Sequence, residues 1–146
     1  EYRTCEGGIL EKDFIKRVNL IGDLLKEVDK YENERCIKIK DRLFSKLKEL
    51  TLEKLDENRL EQEMIYYLEK LDITEEKIRL RQHLDYFLQC LAQGECQGKK
   101  LGFIAQEMGR EINTLGSKAN DADIQVLVVK MKDELEKIKE QSANIL

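Results

Sequence analysis

The run Leu101-Gly102-Phe103-Ile104-Ala105-Gln106-Glu107-Met108-Gly109-Arg110-Glu111-Ile112-Asn113-Thr114-Leu115 carries a one-sided apolar pattern. Leu101, Ile104, Ala105, Met108, Ile112 and Leu115 fall at i, i+3, i+4, i+7, i+11 and i+14, the period of an α-helix with one face on a core. A strand would alternate every second residue. Gly116 follows and predicts the end of this helix. Downstream, Asn120 or Asp121 predicts the cap of a last helix with Ile124, Leu127, Val128, Met131, Leu135 and Ile138 inward. Val126 and Val129 lie on its other side, so its start is expected to be buried from two directions.

The same period extends towards the N-terminus. Leu80, Leu84, Phe87 and Leu91 form a stripe that Gly94 terminates. Thr74 predicts the N-cap of that helix, with Glu75 and Glu76 in the dipole-favoured first turn and Ile73 and Ile78 placed as a hydrophobic staple. Before it, Asp56 predicts the start of a helix with Leu60, Met64, Leu68 and Leu71. In the first third, Leu10, Phe14, Val18, Ile21, Leu25 and Val28 are followed by Cys36, Ile39, Leu43, Leu47 and Leu50. The polar stretch 31–35 leaves both one long helix and two shorter ones open. The expected fold is all-α, a helical bundle of five to six helices with a long N-terminal helix or helical hairpin arm. Residues 1–55 are expected to form the arm and residues 56–146 the helical domain.

Composition narrows the class. The chain has 146 residues, no Pro and 38% charged residues. This length suits one domain, and the many turns of a β-sandwich would call for Pro and Gly. The longest apolar runs are a few residues, too short to span a bilayer, so no membrane partner is expected. The chain opens Glu1-Tyr2-Arg3-Thr4, without Met or an apolar leader, which predicts a partial or processed chain. Cys5, Cys36, Cys90 and Cys96 show no CxxC spacing and accompany a single His, His83. Reduced thiols acting as small apolar groups and a cytoplasmic location are expected rather than a zinc site.

The net charge of −4 is uneven. Residues 1–76 carry net −5, residues 77–118 net +3 and residues 119–146 net −2. A phosphate-bearing partner would dock on the middle segment. At about 100° per residue, Glu76 and His83 share one boundary of the Leu80 stripe, with Arg79 slightly further round. Such a pair can share a metal or a substrate proton, and it can equally be a boundary His bonded to a carboxylate. On the helix of Leu101, Glu107, Glu111 and Lys118 line one flank, and Gln106, Arg110 and Asn113 the other. Asn113 and Thr114 are mediocre helix formers. Carboxylates beside amides, hydroxyls and cations suit phosphodiester chemistry: the carboxylates hold Mg²⁺ or Mn²⁺ and the cations stabilise an anionic transition state. A polar surface helix is the plain alternative.

The segment from Gly98-Lys99-Lys100-Leu101 through Gln106-Glu107, Arg110-Glu111 and Asn113-Thr114 to Ser117-Lys118 resembles the signature of the YicC/YloC-like endoribonucleases. Asp56-Glu57 with Arg59-Leu60 and Glu63, Asp72-Ile73 with Glu75-Glu76, Arg79-Leu80 and His83, and the ending Glu136-Lys137-Ile138 with Glu140-Gln141 and Asn144-Ile145 extend the resemblance. So do Arg3, Glu6-Gly7, Leu10, Asp13 and Arg17. Gly109 departs from it, since members commonly carry Asn there. The resemblance implies the C-terminal half of a protein about twice as long. It implies hydrolysis of RNA phosphodiester bonds with a divalent metal cation (Mg or Mn), homo-oligomers, and a contribution from the other half. By residue chemistry, His83, Glu107 and Glu111 become catalytic candidates, and Glu76, His83, Glu107 and Glu111 metal ligands. Arg79, Lys99, Lys100, Arg110, Asn113, Thr114, Ser117 and Lys118 become RNA-binding candidates. Glu75 or Glu76, His83, Glu107 and Glu111 are then expected to converge across two neighbouring helices. The competing reading is a non-catalytic helical oligomerisation or RNA-binding module, motivated by the long stripe from Leu10 to Leu50.

Overall fold

The computed structural model describes residues 8–50, 57–94, 97–119 and 121–145. They form five helices, and no strand occurs among them: α1 (Ile9–Leu50), α2 (Glu57–Leu71), α3 (Thr74–Ala92), α4 (Gly98–Ala119) and α5 (Ala122–Ala143). The all-α expectation holds, with the lower of the two helix numbers. Asp56, Asn120, Cys5, Cys96, Arg3, Glu6 and Gly7, and the side chains of Leu47, Leu50, Glu57 and Leu60, lie outside the described residues.

Helix α1 runs unbroken for 42 residues, about 63 Å at 1.5 Å per residue. Of the two readings left open, one long helix is correct. Arg35 explains why its polar stretch does not break it. This side chain lies in phase with Leu25 and Val28, is 3% exposed, and donates from one guanidinium nitrogen to Leu71 O (2.7 Å) and Lys118 O (3.1 Å). Those carbonyls lie at the C-terminal ends of α2 and α4, where no helical N–H remains to satisfy them.

The first half of α1 packs with α3, α4 and α5 around one core, each helix antiparallel to its neighbours. Phe14, Val18, Ile21, Leu25 and Val28 face Leu80, Leu84, Phe87, Leu101, Met108, Ile112, Met131 and Ile138. Phe14 and Phe87 meet edge to face at 5.3 Å, a favoured aromatic geometry. Ion pairs fix the register at the rim: Arg17 with Glu134 at 3.0 Å, and Lys77 with Asp29 and Glu32. Burial pulls the Lys77 ammonium down, but its hydrogen bonds to Asp29 and Glu32 outweigh this and hold it above its ordinary range. The second half of α1 projects past the bundle beside α2, where Cys36, Ile39 and Leu43 with Met64 and Leu68 are only half-buried. Cys90 is buried and Cys36 half-buried, both as free thiols.

Four local expectations need correction. Thr74 is the first residue of α3 rather than its cap; Asp72 Oδ1 accepts from Thr74 N at 3.0 Å and from Thr74 Oγ1 at 2.5 Å. Ile73 is buried but Ile78 is exposed, so no staple pairs them. Gly116 does not end α4, which continues to Ala119; it lets Val128 of α5 approach, since a Cβ there would sit 3.0 Å from Val128 Cγ1. Val126 and Val129 are exposed, so the start of α5 is buried from one side only. Two terminators behave as read: Gly94 takes the left-handed conformation (φ 75°) after α3, and Asp121 caps α5 by accepting from Ile124 N at 3.0 Å.

Candidate functional site

Antiparallel packing of α3 on α4 turns the two boundary rows into a ladder of charge. At one end, Lys118 Nζ lies 3.1 Å from Glu76 Oε2. One step along, Arg79 Nε donates to both oxygens of Glu111, at 3.0 and 3.2 Å. The same guanidinium reaches Glu75 at 3.3 Å and Glu76 at 3.8 Å. Further on, Lys100 sits 5.6 Å from the Tyr86 ring centre, a cation–π distance. His83 falls between the Arg79 and Tyr86 steps, half-buried, and makes no hydrogen bond or ion pair among the described residues.

Two carboxylates of this ladder, Glu76 and Glu111, are buried while their cations reach solvent. Glu76 is 2% exposed and Glu111 7%, whereas Arg79 and Lys118 are partly open. A buried carboxylate is retained as an anion only with partners, and each of these has one. The hydrogen bonds that Arg79 donates to Glu111 hold its guanidinium above its ordinary range, so it stays charged. Lys118 also donates to Asp72 O at 3.3 Å, tying the start of α3 to the end of α4. Asp72 is itself held below the usual carboxylate range, chiefly by the Thr74 hydroxyl.

The sequence-derived candidates therefore separate into two groups. Glu76, Arg79, Glu111 and Lys118 come together, with His83 adjoining them along the seam. Glu107 lies on the same flank of α4, half-buried, 3.8 Å from Arg110. Lys99, Arg110, Asn113 and Ser117 instead point outwards along the opposite flank, together with Phe103 and Gln106. Thr114 Oγ1 and Ser117 Oγ donate back to Arg110 O and Asn113 O, so their protons are committed to the helix and their lone pairs stay open.

Among the described residues, no three His, Cys, Asp or Glu side chains are gathered closely enough to hold a metal ion. The four expected ligands Glu76, His83, Glu107 and Glu111 thus do not form one set in this arrangement. Each buried carboxylate is instead paired with a side-chain cation, Glu76 with Lys118 and Glu111 with Arg79. A side chain at Gly109 would point away from this seam, towards Leu135 and Lys139 of α5 at 3.2 and 3.5 Å. Any polar contact from an Asn at that position would be made to α5.

Sequence reasoning missed Arg35. The available signal was its spacing of seven from Val28, which puts a cation on the buried stripe. It also missed Phe103, an aromatic exposed on the outer face of α4.

Comparison with known proteins places this geometry. Residues 28–146 match the family described as "Endoribonuclease YicC-like, C-terminal". The chain is 39% identical to the "Probable endoribonuclease YicC" of Clostridioides difficile (strain 630) over 147 aligned positions, covering 99% of this chain and 50% of that protein. It is also 39% identical to the protein of the same name from Haemophilus influenzae over 106 positions, covering 73% of this chain and 37% of that one. The chain spans half or less of the length of these relatives. No helix among the described residues is long and apolar enough to cross a membrane. With the signature residues Glu76, Arg79, Glu111 and Lys118 assembled at one seam, and the family matched over most of its length, the chain belongs to the YicC-like endoribonuclease family and corresponds to its C-terminal part.

Proposed function

We propose that this chain is the C-terminal part of an endoribonuclease, and that the α3–α4 seam contributes to cleavage of RNA phosphodiester bonds. The observation that supports it most is the seam's polarity. Two buried carboxylates hold two partly open cations, Arg79 and Lys118, and the half-buried imidazole of His83 adjoins them along the seam. Cations fixed by buried anions are preorganised to meet the charge that develops on a phosphoryl group. An imidazole beside them can take a proton from the attacking oxygen or return one to the leaving oxygen. Glu107, at the half-buried edge of the same flank, can orient that oxygen or the imidazole.

A requirement for Mg²⁺ or Mn²⁺ is part of the proposal for the whole protein. The seam as arranged does not fit such an ion, since its buried carboxylates are paired with side-chain cations and no three candidate ligands are gathered among the described residues. Assembly into homo-oligomers, participation of the other half and a cytoplasmic setting belong to the same proposal. The alternative of a non-catalytic oligomerisation or RNA-binding module draws on one observation. Ile65, Tyr66 and Tyr67 of α2 are exposed beside the half-buried stripe of α1, a surface suited to a helical partner.

Single-turnover cleavage of a structured RNA by the full-length protein, with Mn²⁺, Mg²⁺ or EDTA, tests this. His83→Gln is expected to lose on the order of 100-fold or more in rate, the usual contribution of a positioned acid–base group. Its melting temperature should stay unchanged, because His83 makes no hydrogen bond or ion pair among the described residues. Wild-type rates in His83→Gln, Glu107→Gln and Glu111→Gln together would establish the module reading instead. Cleavage that persists in EDTA would assign the chemistry to these side chains without a metal.

A further inference from the structure

We infer that the open groove between the start of α4 and the end of α5 is a binding site for an unstacked nucleotide of single-stranded RNA. This rests on the reading of the chain as part of an RNA-cleaving protein. The groove is about 730 Å³ and is lined by Lys99, Gly102, Phe103, Gln106, Lys139 and Ile145 among others. It lies on the outer flank of α4, away from the α3 seam.

Three observations assign the ligand class. Phe103 is 63% exposed, although the inward stripe of its helix is buried. An aromatic left open beside cations suits a base π-face, and only an unpaired base offers one. Lys99 and Lys139 stand on the two helices that form the walls; Lys139 is held only loosely, 4.0 Å from Glu136. They supply phosphate contacts on either side of the ring. Gln106, one turn on, carries both a donor and an acceptor for a base edge, and Arg110 and Asn113 continue the same polar row.

The glycines argue that the space is built rather than accidental. A Cβ at Gly98 would lie 2.6 Å from both Ser142 O and Ile145 O, so this glycine lets the two helix ends close the groove. A Cβ at Gly102 would meet nothing within 4 Å. Gly22, Gly98, Gly109 and Gly116 each face a close neighbour that a side chain would strike. Gly102 weakens its helix with no packing reason, and what it leaves is open floor beside Phe103.

Fluorescence anisotropy of a labelled 12-nucleotide oligouridine against the full chain tests the groove, with an RNA duplex of equal length as control. Phe103→Leu is expected to weaken the single strand about tenfold and the duplex little, while Phe103→Trp retains affinity. Lys99→Gln and Lys139→Gln should each flatten the slope of log affinity against log salt by about 0.7. Because Phe103 is exposed, helical content and melting should match wild type. If Phe103→Leu binds the single strand as wild type does while Arg110→Gln weakens it, the groove assignment falls and the RNA reading stands. If Phe103→Leu alters sedimentation instead of RNA affinity, the ring serves a protein contact and the assignment also falls. If wild type binds neither RNA, both readings fall.

Discussion

Gly98 and Gly102 stand one turn apart on α4, and their surroundings demand opposite outcomes from the same substitution. At 98 a methyl group meets two backbone carbonyl oxygens of the α5 terminus at 2.6 Å. Neither can swing aside as a flexible side chain would, so the helix ends must separate. Overpacking of this kind costs roughly 1–3 kcal/mol, and Gly98→Ala should melt several degrees below wild type. At 102 a methyl group enters open space, and the entropy lost by glycine on helix formation is recovered. Gly102→Ala should therefore gain about 0.5–1 kcal/mol. Thermal unfolding of the two variants side by side checks both signs. A Gly98→Ala protein as stable as wild type would show that the α4 and α5 ends are not in contact as described.

At the scale of the element, the start of α3 shows how a helix boundary can be read almost correctly from the wrong atom. Thr74 looks like an N-cap, yet its hydroxyl is a donor here, and Asp72 two residues earlier accepts from both the Thr74 amide and hydroxyl. Asp72→Ala should cost about 0.5–1 kcal/mol at pH 7, near the low end for a lost cap because the carboxylate is solvent-exposed. The pH dependence has a defined sign. The folded protein holds Asp72 below the usual carboxylate range, so its contribution is complete above about pH 4 and fades as the pH falls through the folded-state value. Urea midpoints of wild type and Asp72→Ala should differ at pH 7 and converge in acid; a gap that persists at pH 2 would assign the effect to something other than this charge. What the sequence makes legible follows from the same contrast. Leu80 to Leu91, Leu101 to Leu115 and Ile124 to Ile138 are readable because burial imposes a period on many residues at once. The flank positions of Glu76, Arg79, Glu111 and Lys118 are readable because helical angle alone places them at a boundary. Gly116 is misread because a stop and a close crossing both call for glycine, and only the position of Val128 distinguishes them. Val126 and Val129 are misread because periodicity does not report how many neighbours a helix has. Angle also places Glu76 and Glu111 on facing rows, but only the register shows that Arg79 reaches both of them and that Lys118 pairs with Glu76.

At the scale of the whole molecule, the arm formed by α2 and the second half of α1 must be joined to the four-helix core, and Arg35 is the joint. One guanidinium nitrogen satisfies the terminal carbonyls of α2 and α4 together, while Lys118 Nζ reaches Asp72 O in the link from α2 to α3. Apolar burial contributes little on this side, since the facing residues of α1 and α2 are only half-covered, around a cavity of about 320 Å³ beside Arg35. The attachment is therefore chiefly polar. Arg35→Met keeps the apolar stem and removes the donors, leaving two helix-end carbonyls without their charged partner. Hydrogen bonds to a charged group contribute about 1.5–3 kcal/mol, which corresponds to roughly 10–150-fold faster opening. Native-state hydrogen exchange should show this acceleration in the amides of α2 and the last turn of α4. The amides around Phe87, Met108 and Met131 should change far less, because their protection comes from the core that Arg35 does not enter. Equal acceleration throughout would mean that arm and core open as one unit. No acceleration in α2 would mean that the half-covered stripe, rather than Arg35, holds the arm in place. The selective pattern alone fits an arm latched by one buried cation, with the α3–α4 seam lying directly beside the latch.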